Sequence, residues 1–181
     1  MKKFILAAAV AISAICITAC SKGASQVLTG SYTYKTSGTV TLKTNLDDLD
    51  EEVRAALEKI GFKNNPATVE LFPEQGQMHI QDSKDGDGRV IITFNDLLGN
   101  ADIADGTVNG DQLTITGTPV KSAHLTDGTI KVGTGNVTYS GSGRKYDEVL
   151  IFSLVYGGSF TVSGIQMDIL SSDVKCVAQK N

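Results

Sequence analysis

The chain has 181 residues, with 16 Lys and Arg against 20 Asp and Glu, for a formal net charge of −4 at neutral pH. A mildly acidic chain without a basic stripe argues against nucleic acid as a partner and against electrostatic docking on anionic lipid headgroups.

The N-terminus has three physical parts. Lys2 and Lys3 give a positive start, residues 4–17 form an apolar stretch broken only by small residues such as Ser13, and Ile17-Thr18-Ala19-Cys20 ends it. A helix needs about 20 apolar residues to cross a bilayer core, so the stretch reads as a secretory segment with a small residue before the cut. The tetrapeptide resembles the bacterial lipobox: an aliphatic residue, a small residue, Ala or Gly, then Cys. That resemblance implies that residues 1–19 are removed as a signal peptide. It also implies that Cys20 carries diacylglycerol, and that its new amine is acylated, with palmitate as the expected label. More than one acyl chain anchors stably, where a single one holds only marginally. In proteobacterial sorting an Asp after the Cys favours the inner membrane. Ser21 therefore implies the outer membrane. The following run, Ser-Lys-Gly-Ala-Ser-Gln, lacks the acidic block of surface-exported lipoproteins, which tilts the expectation to the periplasmic face.

Removing 19 of the 181 residues leaves 162, and with Lys2 and Lys3 gone the formal charge moves from −4 to −6. That length suits one domain, at about 150 residues each. Residues 20–26 read as a lipidated tether and residues 27–181 as a single β-rich domain. Of the three cysteines, Cys16 leaves with the signal peptide and Cys20 is used by lipid, so Cys176 has no partner within the chain. Even where disulfides are permitted, the core alone must hold the fold.

Residues 31–36 and 38–43 alternate, placing Tyr32 and Tyr34 on one face and then Val40 and Leu42, with Ser37-Gly38 as the turn of a hairpin. Residues 45–60 change period. Asn45 suits an N-cap, acids crowd the first turns, Gly61 suits a C-cap, and Leu46, Leu49, Val53, Leu57 and Ile60 recur at three- and four-residue spacing. The spacing predicts an amphipathic helix over about 46–60, its acidic face solvated and well placed for the helix dipole. From Ala67 the pattern is β: Val69 with Leu71, Met78 with Ile80, then Val90, Ile92 and Phe94. Leu113 with Ile115, Ile130 with Val132, and Val137 with Tyr139 continue it. Pro73-Glu74-Gln75-Gly76, Asp85-Gly86-Asp87-Gly88, Asp127-Gly128 and residues 141–143 read as turns, and residues 95–104 as room for a helical turn around Leu97 and Leu98. Residues 149–155 are the most apolar segment and are expected to form a central strand covered on both faces, with the helix over one of them. Phe160 with Val162, residues 165–169 and residues 174–178 end the chain. Roughly ten short strands are the signature of a barrel or sandwich.

Leu28-Thr29-Gly30-Ser31-Tyr32, the alternating strands and the closing Cys176-Val177-Ala178-Gln179-Lys180-Asn181 resemble the lipocalin-like or calycin-like lipoproteins of Bacteroidetes. Where a lipocalin carries Trp after Gly-x, this chain, which has no Trp, has Tyr32. The resemblance implies a mostly β, antiparallel, up-and-down barrel, with an open β-sandwich as the alternative. Fold alone does not give function.

The two histidines do not sit at metal-ligand spacing. His79 lies on the face opposite Met78 and Ile80, and His124 follows Lys121-Ser122-Ala123, so no zinc set emerges. Ser140-Gly141-Ser142-Gly143 is a turn composition and lacks the Gly-x-Ser-x-Gly order of a nucleophile elbow. Asp82, Asp85 and Asp87 offer hard oxygen atoms of the kind Ca²⁺ prefers, but Lys84 interrupts them, and a hairpin tip accounts for the segment. Gly133-Thr134-Gly135 and Gly157-Gly158 are followed by β pattern, where a phosphate cradle needs a helix; they read as turns. Cys176 alternates with Val174 and Ala178 and reads as a buried, inert thiol. Tyr139, Tyr146 and Tyr156 read as core edges at strand ends. No catalytic residue and no cofactor are assigned.

Three functions compete. The first is a non-catalytic binding or accessory lipoprotein of the cell envelope, attached to the membrane by its lipid, with a protein or small-molecule partner. The second is a carrier of a small hydrophobic molecule in the barrel mouth. The third is a hydrolase built from scattered carboxylates, for which a cleft with two acids would speak. The bulky run at 149–155 predicts a filled interior.

Overall fold

Side-chain alternation fixes which face of each strand turns inward, and it is kept along nearly the whole chain. The computed structural model describes residues 27–45, 49–59, 62–70, 74–97, 99, 101–119, 122–125, 128–131, 136–162 and 164–181. Cys20 and Ser21 lie outside them, as do Leu46, Ile60, Gly61, Leu71, Leu98 and Val132. In order the elements are β1 (Gly30–Thr44), α1 (Glu51–Lys59), β2 (Ala67–Glu70), β3 (Gln75–Asp82), β4 (Arg89–Asp96) and β5 (Ala101–Asn109). They continue as β6 (Gln112–Pro119), β7 (Ser122–Leu125), β8 (Gly128–Lys131), β9 (Thr138–Tyr146), β10 (Val149–Val162) and β11 (Ile165–Lys180).

Strands β1, β3, β4, β5, β6, β9, β10 and β11 pair antiparallel, each with the next, and β11 returns to pair with β1. The chain is thus a closed eight-stranded up-and-down barrel, and closure leaves these strands no free edge over most of their length. The open sandwich is set aside by the β1–β11 seam, which runs from Tyr32 opposite Lys180 to Thr44 opposite Met167. β2 adds to β1 beyond the reach of β3, and β7 with β8 forms a separate hairpin in the β6–β9 connection.

The inward set is apolar and large: Tyr32, Met78, Ile80, Ile92, Leu113, Ile115, Leu150 and Phe152 are among the most deeply buried side chains. They turn into the barrel interior, where protein packing is dense. Leu28 plugs the end where the chain enters, buried completely, and its carbonyl accepts from the Tyr32 hydroxyl at 2.7 Å. Three strands outrun the others. The far parts of β1, β10 and β11, joined by β2, extend past the opposite rim and bury Val40, Leu42, Val69, Phe160 and Met167. Leu57 of α1 and Phe62 join the same core, with Leu49 and Val53 packed against it.

Several expectations are corrected by this length. Residues 31–43 form one strand, not a hairpin: Gly38 has φ +152, and a Cβ there would lie 2.1 Å from the Asp173 carbonyl oxygen. Glycine at 38 allows β11 to come close; it does not turn the chain. The helix begins at Glu51, with the Arg54 amide bonded to the Asp50 carbonyl at 3.0 Å. Asn45 cannot cap it, because Leu42, Lys43 and Thr44 are still held extended against β11. Residues 101–104 are strand, and Leu97 forms a turn that leaves it 71% exposed. Gly141 and Gly143 lie inside β9, where a Cβ at 143 would meet the Phe152 Cβ at 2.2 Å and one at 141 the Ser153 carbonyl oxygen at 2.7 Å; they make room for β10. Residues 149–155 are buried on one face only. Leu150, Phe152 and Leu154 point inward while Val155 is 55% exposed, since a single closed layer has one inner and one outer face and α1 lies between β1 and β2 in the chain.

Candidate functional site

Where β1 leaves the barrel rim, alternation places Tyr34 and Thr36 on the same inward face. Both hold Glu74, which immediately precedes β3. The Thr36 amide donates to the Glu74 carbonyl at 2.7 Å, the Glu74 amide donates to Thr36 Oγ1 at 3.0 Å, and the Tyr34 hydroxyl donates to the Glu74 carboxylate. Phe94, near the end of β4, meets Tyr34 edge to face at 5.3 Å between centroids and Tyr139 at 6.3 Å, the arrangement that aromatic quadrupoles favour. Asp102 at the start of β5 is the register partner of Phe94. Tyr139 of β9 and Tyr156 of β10 are direct register partners, their rings 5.7 Å apart.

Tyr156 owes its place to a bulge. The β10–β11 register slips between Leu154 and Gly158, and the Tyr156 amide donates to Ser172 Oγ at 2.8 Å instead of to a strand partner. Gly158 has φ +102, and a Cβ there would fall 1.9 Å from the Asn136 carbonyl oxygen. Gly157-Gly158 is therefore a kink within a strand and not the turn expected; bulges of this kind re-aim neighbouring side chains.

These residues line one crevice, together with Leu154, with about 20 Å³ open to water, room for little more than one water molecule. The walls are the rings of Tyr34, Phe94, Tyr139 and Tyr156; the polar groups are Thr36, Glu74 and Asp102. Burial pushes the Tyr34 hydroxyl well above its ordinary pKa, with Glu74 adding to the effect. Burial raises Tyr139, with Asp102 and Glu74 assisting, and raises Tyr156, with Glu74 next. All three stay protonated through the neutral range, as donors in a negative field. The Tyr139 hydroxyl is buried and, among the described residues, without a hydrogen-bond partner.

The structure scatters the residues singled out from the sequence. Cys20 lies outside the described residues. Asp82 ends β3, and Asp85 and Asp87 stand in the β3–β4 hairpin tip, where Asp85 accepts from Ser83 Oγ at 3.1 Å. Asp85, Arg89 and Asp105 also line a separate cleft of about 240 Å³ at that tip. Among the described residues no three His, Cys, Asp or Glu side chains gather as a metal-holding group. His79 is exposed, as expected, and lies 3.1 Å from Ser31 Oγ; His124 lies in β7, opposite Thr129. Cys176 is buried completely, and burial, then Glu74, raises its thiol pKa, which keeps it inert. Tyr139 and Tyr156, read as core edges, are brought together in the crevice, whereas Tyr146 is 58% exposed.

Sequence reasoning missed Tyr34, Glu74, Phe94 and Asp102 as a set. The available signal was parity: Asp102 shares the inward face of Ala104, and Glu74 follows Pro73 at the threshold of a strand whose next inward residues are Gly76 and Met78.

No family model matches the chain, and no curated protein matches it. Among solved structures, that of EF1p2_mFAP2b bound to DFHBI is similar at 12% identity and a TM-score of 0.44, over 87% of this chain and 97% of that one.

Proposed function

We propose that the chain is a non-catalytic binding lipoprotein of the cell envelope, related to the lipocalin-like lipoproteins of Bacteroidetes, held to the outer membrane by acyl chains on Cys20 and binding a small ligand at its rim crevice. One observation carries the binding function: a buried hydroxyl on Tyr139, unpartnered among the described residues, in a crevice walled by aromatic rings at the barrel rim. Leaving a buried polar group unpaired costs free energy, and a ligand that pairs with it recovers that cost. The groups at the crevice suit holding more than reacting, since its three tyrosines stay protonated. The chain enters the barrel at Leu28, at the end opposite the crevice: Gly30 pairs with Ile80, at the far end of β3 from Glu74. In this reading the acyl chains on Cys20 hold the domain at the periplasmic face of the outer membrane.

The closed barrel also favours a second reading, a carrier of a small hydrophobic molecule, its ligand seated at the rim. Titration with a lipid probe separates the two. Stoichiometric, saturable binding of a long-chain fatty acid supports the carrier, and its absence supports the small-ligand reading.

The anchor is tested by metabolic labelling with palmitate and membrane fractionation of wild type and Cys20→Ala. Labelled, membrane-bound wild type beside an unlabelled variant is expected; equal labelling of the two would sink the lipoprotein assignment.

A further inference from the structure

The outer wall of the barrel is unevenly apolar. Among the described residues seven large hydrophobic side chains are exposed, and five of them, Val27, Tyr146, Val155, Leu170 and Val177, belong to the chain entry and to β9, β10 and β11. The other two, Leu97 and Ile103, lie just after β4 and in β5. β5 stands four strands from β11 in the ring of eight, on the opposite wall. Register gathers the apolar side. Val177 pairs with Ile151 on one flank and Lys35 on the other, and Ile151 pairs in turn with Arg144. An apolar centre is thus bordered by two cations, whose stems can lie along it while their charges reach water. Val155 and Leu170 extend it into the stretch where the β10–β11 register slips. At the other end the Lys145 amine donates to the Val27 carbonyl at 3.2 Å, which brings the chain entry beside the next residue, Tyr146.

We propose that this wall docks on the lipid bilayer that carries the anchor. The proposal rests on Cys20 being acylated. The seven steps from Cys20 to Val27 span at most about 25 Å when fully extended, so Val27 stays within that distance of the headgroups. A tether this short makes docking an intramolecular step, at an effective concentration on the order of millimolar, and a weak apolar contact then suffices. Tyr146, 58% exposed, suits an interface, where amphipathic aromatic rings gather. The contact is apolar and not electrostatic, in keeping with the acidic balance of the chain. Docked in this way the barrel lies along the membrane on its β10–β11 wall, with Ile103 facing away.

The test uses the full-length protein, produced with its acyl chains and reconstituted into phosphatidylcholine vesicles. Cys176 is buried and Cys20 is blocked by lipid in this reading, so a thiol introduced on the wall takes a nitroxide label. Labels are placed by Val177→Cys, Tyr146→Cys and, on the opposite wall, Ile103→Cys, with circular dichroism to confirm folding. Oxygen, which concentrates in the bilayer, is compared with a water-soluble nickel chelate as the relaxing agent. The oxygen-to-nickel ratio is expected to be severalfold higher at 177 and 146 than at 103. Ile151→Asp should bring the ratio at 146 down towards that at 103; if that variant does not fold, Val155→Asp takes its place. Equal ratios at the three positions in membrane-bound protein overturn the docking and leave the anchor standing. An undiminished ratio at 146 in the Asp variant overturns the apolar wall as its cause. Spin–spin broadening at 177 would place a second copy on this wall and overturn the bilayer as its partner. Protein that carries no acyl chain and stays in solution overturns anchor and docking together.

Discussion

The backbone amide of Tyr156 donates to the Ser172 side chain at 2.8 Å across the β10–β11 bulge, so a strand defect is bridged by a hydroxyl and the Tyr156 ring is delivered to the rim. Ser172→Ala removes that acceptor from a part-buried donor and should cost about 1 kcal/mol in urea denaturation. It should also loosen Tyr156, lowering the steady-state anisotropy of a ligand bound at the crevice. A variant as stable as wild type would show that the bulge holds itself without Ser172.

Tyr139→Phe tests the unpartnered hydroxyl from the stability side. The ring stays and the buried oxygen goes, so the ligand-free protein should gain about 1–3 kcal/mol by chemical denaturation. A loss of stability would mean that the hydroxyl is paired in solution.

Leu57 is 5% exposed and belongs to the main core. Leu57→Ala should cost about 2–5 kcal/mol, as buried large-to-small changes do. A change below about half a kcal/mol in the same measurement would show that α1 is not docked.

Helix positions were legible in the sequence because Val53 and Leu57 keep a helical spacing within α1, and strand faces were legible because Met78, Ile80, Val90, Ile92 and Phe94 alternate. What misled was glycine. Gly38, Gly141, Gly143 and Gly158 look like turn residues in one dimension, yet each sits in a strand where a neighbour approaches too closely for a Cβ. That neighbour is more than a hundred residues away in the case of Gly38 and Asp173, so no local pattern could reveal it. The crevice was hidden for the same reason. Tyr34, Glu74, Phe94, Asp102, Tyr139 and Tyr156 come from five strands and one connection, and only barrel closure makes them neighbours. Asn45 failed as a cap because tertiary pairing carried β1 through Thr44, overriding a local signal.

Alkaline pH should destabilise the fold. Burial, with Glu148 assisting, pushes the Tyr32 hydroxyl from 10.0 up to about 12, and Tyr34, Tyr139 and Tyr156 are raised as well. These groups keep their protons in the folded state at a pH where the unfolded chain has lost them. The unfolded state then binds fewer protons, so stability falls as pH rises. Their contribution is fully present below pH 10 and is lost as pH climbs from 10 through 12 and beyond for the group raised to about 12. Urea midpoints across this range, followed alongside phenolate absorbance, should fall steadily; a flat profile would show that the phenols ionise in place.

The seam between the first and last barrel strands sets the tempo of folding. Ser31 accepts from the Asn181 amide at 3.0 Å, and Thr33 donates to the Asn181 side chain at 2.9 Å, contacts that span almost the whole described chain. A meander can zip each hairpin as it emerges, but this barrel closes only when its final strand finds its first. Pairings of such sequence separation are entropically late. Until then β1 and β11 each present a bare edge, and two chains caught at that stage hold matching halves of the same seam. The closing strand therefore acts as a kinetic gatekeeper, deciding whether the chain completes its own barrel or exchanges strands with a neighbour.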